Sequence, residues 1–358
     1  MTKLKVLELF AGIGAVSKAL EDIGVDFEIV DAVEIDKYAL NGFNAIHGTC
    51  FETQDIREWN KNIDVDLISH GSPCQDFSAA GRQAGGNIGS GTRSSLMYET
   101  IRIVGKIRPK YVIWENVKNL LSKKHKHNFE AYLKTMESLG YTNYYQILNA
   151  SDYGIPQHRE RVFTVSVLNG DEFEFPKPRE LKLRLRDMLD EHVEQKYYLS
   201  EKMINYIVAN NIKWTGNNGK SLVNKSIAST INTGEGQRRC DASNYICKEL
   251  PDDFDLKIIR EFGIYGNKQG GSVYNINGIS PTLTTKSSLN WNVLITDFIH
   301  IRRLTPRECF KLMGFSVTDY DKIKAINTSD TQCYKMAGNS ICVPVLRAIF
   351  ENLFKNLN

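Results

Sequence analysis

Short apolar runs alternate with helical patterns through the first half of the chain. "KVLELF", "FEIVDAVEI", "VDLISHG", "YVIWENV", "YYQILNA" and "RVFTVSV" read as strands, several of them almost continuously apolar. Between them the apolar positions recur at helical spacing, which predicts one helix from about Ala15 to Ile23 and another starting near Asp36. A further strand, the third in chain order, is expected just ahead of Asp55 in "TQDIREW". Near-continuous Val/Ile/Leu strands separated by helices predict an α/β fold with a mixed, mostly parallel sheet flanked by helices. Ligands of such sheets bind at the carboxyl ends of the strands.

The pattern weakens after about Pro178. From there to about Asp297 the chain is rich in Gly, Asn, Thr and Lys, as in "NNIKWTGNNGK" and "YGNKQGGSVYNINGISPTLTT". Aromatic and β-branched residues persist, which predicts a smaller, loop-rich domain rather than disorder. Helical order returns at "RRLTPRECFKLMGF": Thr305 is a natural N-cap, Pro306 the first helical residue, Glu308 the partner in a capping box and Gly314 the stop. Val343, Leu346, Phe350, Leu353 and Leu357 then mark an amphipathic helix expected to dock on the large domain. The expected division is 1–195 with 325–358 as one domain, and 196–324 as the small domain and hinge.

Composition narrows this little. With 358 residues, 42% hydrophobic and 24% charged, the chain is an ordinary globular protein. A net charge of +3 permits a polyanionic partner without demanding one. No apolar run approaches the roughly 18 residues of a membrane span, and "MTKLKVLELFAG" enters a strand at once, so a cytoplasmic protein with no membrane partner is expected. The seven cysteines are scattered with no C-x-x-C pair, which indicates neither a disulfide framework nor a zinc site.

Five constellations could carry chemistry, each with a plainer reading. In "LELFAGIGAVSKAL", Gly12 and Gly14 join a strand to a helix, a turn that lets a ligand approach the backbone, and Glu34 lies 20 residues beyond Gly14 where an acid can hold a ribose diol. The dinucleotide fingerprint wants a third glycine where Ser17 stands, so a tight turn alone is the alternative. Asp55 could reach an adenine amino group, or serve as a turn or cap residue. Cys74 follows a strand end in "GSPCQDFS", ahead of a glycine-rich stretch suited to a mobile lid. A thiol there could be held as a thiolate, whereas most cysteines are inert core residues. Glu115 ends the strand "YVIWENV", as a candidate hydrogen-bond partner of a substrate ring or an ordinary helix-start acid. Arg159 and Arg161 alternate into "RVFTVSV" and should share one face, suiting an anionic or carbonyl-bearing ligand, or a solvated edge.

Taken in order, "FAGIG", "GSPCQDFS", "ENV", "QHRER", "RRLTPRECFKLMGF" and "GNSICVPV" resemble the motifs of the DNA (cytosine-5) methyltransferases of bacterial and phage restriction–modification systems, from Val6 to about Val345. The resemblance implies a Rossmann-like S-adenosylmethionine-dependent methyltransferase domain with a small target-recognition domain. It implies that Cys74 adds to carbon 6 of a flipped-out cytosine, that Glu115 engages ring nitrogen 3, and that Arg161 holds the carbonyl at position 2 with Arg159 nearby. S-adenosylmethionine, leaving as S-adenosylhomocysteine, would lie against Phe10, Ala11, Gly12 and Gly14, with Glu34 at its ribose and Ile35, Asp55 and Ile56 at its adenine. Pro73, Asn339 and Ser340 would complete that pocket. Arg93 would touch a DNA phosphate, Gln269 would fill the space left by the base, and Thr282 and Leu283 match a short target-recognition signature. The partner implied is double-stranded DNA, bound by a monomer, with any cognate restriction endonuclease acting separately. Ala15 and Ser72 depart from common forms of the motifs, where many relatives have glycine and some have phenylalanine. Three rival classes stay open: an RNA-directed relative, a nicotinamide-dependent oxidoreductase resting on Gly12, Gly14 and Glu34 alone, and a DNA-binding protein without catalysis.

Overall fold

Six strands build the main sheet, and their order sets which strand ends meet. In chain order the strands are β1 (Leu4–Leu9), β2 (Phe27–Val33), β3 (Leu67–His70), β4 (Tyr111–Val117), β5 (Tyr141–Asn149), the two-residue β6 (Gln157–His158) and β7 (Glu160–Leu168). The sheet runs β2-β1-β3-β4-β7-β5. β2, β1, β3 and β4 are parallel neighbours, and β7 runs antiparallel between β4 and β5. The carboxyl end of β4 therefore lies beside the start of β7, pairing Glu115 with Phe163 and Val117 with Arg161. The computed structural model describes residues 3–73, 96–170, 172–198 and 302–355, with the backbone alone of Val273–Tyr274 (β8), Ser280–Pro281 (β9), Leu294–Thr296 (β10) and Ile301, which begins β11 (Ile301–Arg303). β11, β10 and β8 form a small sheet, and β9 pairs with β6.

Both faces of the main sheet are covered, which is why its strands read as almost unbroken apolar runs. The helices are α1 (Ala15–Asp22), α2 (Lys37–His47), α3 (Met97–Ile107), α4 (Lys126–Ser138), α5 (Pro306–Leu312), α6 (Val317–Ala325), α7 (Asp330–Asn339) and α8 (Val343–Leu353). Residues alternate across the pleat. Val6, Ile113 and Val165 pack with Ala19 of α1 and with Leu346 and Phe350 of α8. Leu7, Ile68, Val112 and Trp114 pack on the other face with Ile103 of α3 and Phe129 and Tyr132 of α4. Leu304, Cys309, Phe310 and Phe315 join the first of these cores, so the large sheet's core takes in part of the stretch 304–324. Among the described residues no helix is long and apolar enough to cross a membrane.

The local signals that start and stop helices act as expected. Asp36 caps α2 by accepting from the N–H groups of Tyr38 and Ala39 at 2.9 and 3.4 Å. Thr305 and Glu308 close a reciprocal capping box on α5, at 3.1 Å and 2.7 Å. Gly314 follows that helix with φ of 85°.

One expected element is absent: no strand lies between α2 and Asp55, and the third strand in chain order is Leu67–His70. The stretch runs as a loop whose backbone is held by side chains instead of a ladder. Asn44 accepts from the Phe51 N–H at 3.0 Å and donates to the Phe51 carbonyl at 2.8 Å. Farther on, Gln54, Trp59 and Lys61 converge on the buried carboxylate of Asp31, at 2.8, 2.7 and 2.7 Å. Burial raises the Asp31 pKa, but the bonds from Lys61, Trp59 and Gln54 outweigh it and hold the group below its ordinary value. Replacing Asp31 by Ala orphans a buried indole N–H and frees the loop. We expect a loss of about 2 kcal/mol, seen as a lower urea midpoint at unchanged slope.

Candidate active site

The chain leaves β1 through a turn with positive φ at Phe10 (53°), Gly12 (57°) and Gly14 (80°). Glycine is required at position 14, because a Cβ would fall 2.1 Å from His47 Nε2 and 2.9 Å from the Phe43 ring. At Gly12 a Cβ would meet nothing within 4 Å, so this side of the turn is open. The Gly12 N–H donates to Glu34 Oε2 at 3.0 Å, and the Asp36 N–H donates to Oε1 at 2.8 Å. Burial raises the Glu34 pKa, opposed by those two N–H groups, and the net shift is upward. Ala11 is buried and its N–H donates to the Val33 carbonyl at 3.2 Å, which stitches the β1 turn to the end of β2.

Beside this cradle Ile35 stands 67% exposed, an apolar side chain left at the mouth. The Asp55 loop is brought alongside by the Gln54 N–H, which donates to the Glu34 carbonyl at 3.0 Å. The Asp55 carboxylate is engaged by Arg57, through its backbone N–H at 2.9 Å and through its guanidinium, and that pair holds the acid below its ordinary pKa. Asp55 also forms the turn, its carbonyl accepting from Glu58 and Trp59. Ile56 is buried in the α3–α4 core.

A buried acid in "LELF" carries a signal that the glycine spacing alone does not use. Glu8 is 2% exposed, one residue before the end of β1, and accepts from both the N–H of Ser17 (3.0 Å) and its hydroxyl. Ser17, standing where a third glycine was looked for, is thus half of a strand–helix clasp. Burial drives the Glu8 pKa up to about 7, against the bonds from Ser17.

The other half of the site lies at the ends of β3, β4 and β7. Glu115 Oε1 is 3.1 Å from Arg161 Nε, and the two side chains are 12% and 17% exposed. A Cβ on Gly71 would lie 3.9 Å from both Glu115 Oε2 and Ile341, so this pair stands at the end of β3, three residues before Cys74. Ser72 is buried and Pro73 half-buried. Arg159 is held at the C-terminal segment. Its guanidinium is 4% exposed and donates to the carbonyls of Gly338 (3.3 Å) and Ser340 (2.8 Å), binding the end of α7 to the sheet. Asn339 is exposed at that end and Ser340 buried. Lys335 of α7 also pairs with Asp36, the cap of α2, so the C-terminal segment is tied to both halves of the site. Cys74, Arg93, Gln269, Thr282 and Leu283 lie outside the described residues.

The glycine turn and Glu34 lie at the ends of one pair of strands, with the Glu115–Arg161 pair two strands away. The family model for C-5 cytosine-specific DNA methylases matches residues 4–355. The chain belongs to this family. It is a DNA cytosine-5 methyltransferase, and its relatives are restriction–modification and phage enzymes. Type II methyltransferase M2.ScrFI of Lactococcus lactis subsp. cremoris is 33% identical, with 99% of each chain covered. Type II methyltransferase M.SsoII of Shigella sonnei is 32% identical over 99% of this chain and 81% of its own length. The orphan methyltransferase M.SPRI of Bacillus phage SPR is 29% identical over 99% and 98%. Among solved structures, the S. pombe Dnmt2 methyltransferase shares the fold with a TM-score of 0.67 at 20% identity, covering 99% of this chain and 100% of that one. A prophage-encoded putative DNA modification methyltransferase of E. coli gives 0.64 at 20%, covering 99% and 100%.

Glu8 makes the methyltransferase pH-sensitive in a definite direction. Its folded pKa of about 7 lies above the ordinary 4.5, so its protonated form favours folding. That contribution is complete below about pH 4.5 and is lost as pH rises through about 7. Glu8→Gln, which cannot ionise, should match the wild type at pH 5 and exceed it at pH 8 by on the order of 2–3 kcal/mol, at about 1.4 kcal/mol per pKa unit. Denaturant melts at the two pH values check this.

Proposed function

We propose that the protein transfers a methyl group from S-adenosylmethionine to carbon 5 of a cytosine flipped out of duplex DNA, through a covalent adduct between Cys74 and carbon 6. The Glu115–Arg161 pair carries this reading. It sets a carboxyl group and a guanidinium 3.1 Å apart at the strand end from which the Cys74 segment departs. An acid beside a fork of donors suits a ring that offers an acceptor nitrogen, an amine and a carbonyl together.

The cofactor fits the residues at the ends of β1 and β2. Phe10, Ala11, Gly12 and Gly14 form the open-sided turn, and each Glu34 oxygen accepts one N–H and keeps a lone pair for a ribose hydroxyl. Exposed Ile35 offers adenine an apolar face, with Asp55 at its amino edge and Ile56 beneath. Pro73, Asn339 and Ser340 close the methionine end. The bound cofactor supplies an electrophilic methyl on a sulfonium sulfur.

The chain's own residues do the rest. The base must leave the stack before any side chain can reach carbon 6. Glu115 engages ring nitrogen 3 and the exocyclic amine, which eases addition at carbon 6. Arg161 turns from Glu115 to the carbonyl at position 2, while Arg159 holds the C-terminal segment in place. The Cys74 thiolate then adds to carbon 6, and the displaced electron pair makes carbon 5 nucleophilic. After methyl transfer, water takes the carbon 5 proton, the freed pair forms the 5,6 double bond, and the bond from carbon 6 to sulfur breaks to return Cys74 as the thiolate. Within the small domain and hinge, the stretch from 196 to about 300 is assigned to target reading, with Gln269 filling the vacated stack and Thr282 and Leu283 in the recognition signature, while Arg93 lies on a phosphate. The enzyme works as a monomer in the cytoplasm, and any restriction endonuclease acts separately.

Labelled methyl from S-adenosylmethionine should enter duplex DNA and not transfer RNA, and bisulfite sequencing of DNA from expressing cells should show one modified cytosine context. Cys74→Ala should cut transfer by at least about 10³-fold while the fold and cofactor binding persist. Label entering only the RNA, or normal turnover in Cys74→Ala, would overturn the reading.

A further inference from the structure

Ser72 is gripped on the face of the sheet opposite Glu115. The indole Nε1 of Trp114 donates to Ser72 Oγ at 3.0 Å. The Asn116 amide donates to the Ser72 carbonyl at 3.3 Å and lies 3.5 Å from Oγ. Ser72, Trp114 and Asn116 are 3%, 1% and 1% exposed, so none of these bonds competes with water. Trp114 is itself held on its other sides. Its ring stacks on His70 at 5.4 Å and 9°, and lies 4.2 Å from the Tyr132 ring. His70 Nε2 and the Tyr132 hydroxyl are 3.1 Å apart. Burial drives the His70 pKa down to about 3, so this bracket does not change charge in the physiological range.

What the grip controls follows from backbone geometry. Fixing the Ser72 carbonyl fixes the plane of the Ser72–Pro73 peptide, and with it the Pro73 nitrogen. The proline ring then locks φ at position 73. One soft torsion, the ψ of Pro73, is left between the clamped carbonyl and the peptide nitrogen of Cys74.

We propose that Ser72 and Trp114 are positioning residues for methyl transfer: their hydrogen bond, braced by the His70–Trp114–Tyr132 stack, sets the point and direction from which Cys74 is delivered to the base. This rests on the reading of Cys74 as the nucleophile. A serine at position 72 is the partner that a buried indole donor at position 114 requires, since an indole N–H can only donate and must find an acceptor. The two residues form one device, 42 positions apart in sequence.

The test uses Ser72→Ala, which removes the acceptor, Trp114→Phe, which removes the donor but keeps a stacking ring, the double variant, and Cys74→Ala in parallel. Single-turnover methyl transfer, KM for DNA and cofactor, and melting temperature are measured. The rate of covalent trapping by duplex DNA with 5-fluorocytosine at the target is followed as well. Each single variant should slow single turnover and trapping by about 10- to 100-fold, the scale of a misplaced reacting group. KM values should stay within about twofold, and the double variant should be no slower than the slower single. Wild-type rates in Ser72→Ala, or losses that multiply in the double variant, would overturn the proposal. Should Trp114→Phe unfold, Ser72→Ala alone decides. A dead Cys74→Ala beside a normal Ser72→Ala refutes only the positioning role, whereas an active Cys74→Ala refutes the nucleophile and this inference together.

Discussion

The pleat of β4 is the constraint on which the substrate side of the site depends. Neighbouring residues of a strand face opposite ways, and here the alternation divides two tasks. Glu115 points to the face shared with Arg161, Gly71 and Ile341, the face of the proposed base site. Trp114 and Asn116 point to the face covered by α3 and α4 and hold Ser72 from behind. A shift of one residue in register would exchange the two sets, burying the acid and exposing the clamp. The register is secured by the core on both faces, with Ile113 in one cluster and Val112 in the other.

The proposed cofactor side uses carboxylates in a similar division. Glu8 and Glu34 sit on adjacent strands, and both are raised by burial. Glu8 is enclosed, spends its acceptors on Ser17 and binds α1 to the sheet. Glu34 lies at the strand end, orders the Gly12 turn through one oxygen and its own chain through the other, and remains reachable. The C-terminal segment is drawn back over this region by Arg159, by the Lys335–Asp36 pair and by the packing of α8 on α1. A site made from residues 10 to 340 is therefore held by a few long-range polar contacts superposed on one apolar core.

Legibility followed the range of the interaction involved. Strands, helices and caps depend on neighbours a few residues apart, and they could be read: Asp36, Thr305 and Glu308 act as caps, and the amphipathic stripe of α8 docks where its pattern requires. The strand expected before Asp55 was misread because Asn44 and Asp31 satisfy that loop's polar groups from elsewhere in the chain, which no local pattern shows. Arg159 and Arg161 share a spacing, yet Arg159 donates to carbonyls of the C-terminal segment and Arg161 meets Glu115. Glu8 was visible as an acid inside an apolar strand, yet only its bond to Ser17 explains it.

By itself the sequence determined the α/β class, the strand-end placement of Gly12, Glu34, Gly71 and Glu115, and the family to which the ordered motifs belong. These rest on local periodicity and on short motifs whose residues act through their own backbone. The tertiary structure decided which side chains meet: that Glu115 faces Arg161, that Ser17 answers Glu8, and that Trp114 holds Ser72. Those pairings join residues 46, 9 and 42 positions apart; strand order and register set the first and last, the packing of α1 on β1 sets the second, and no local pattern records them.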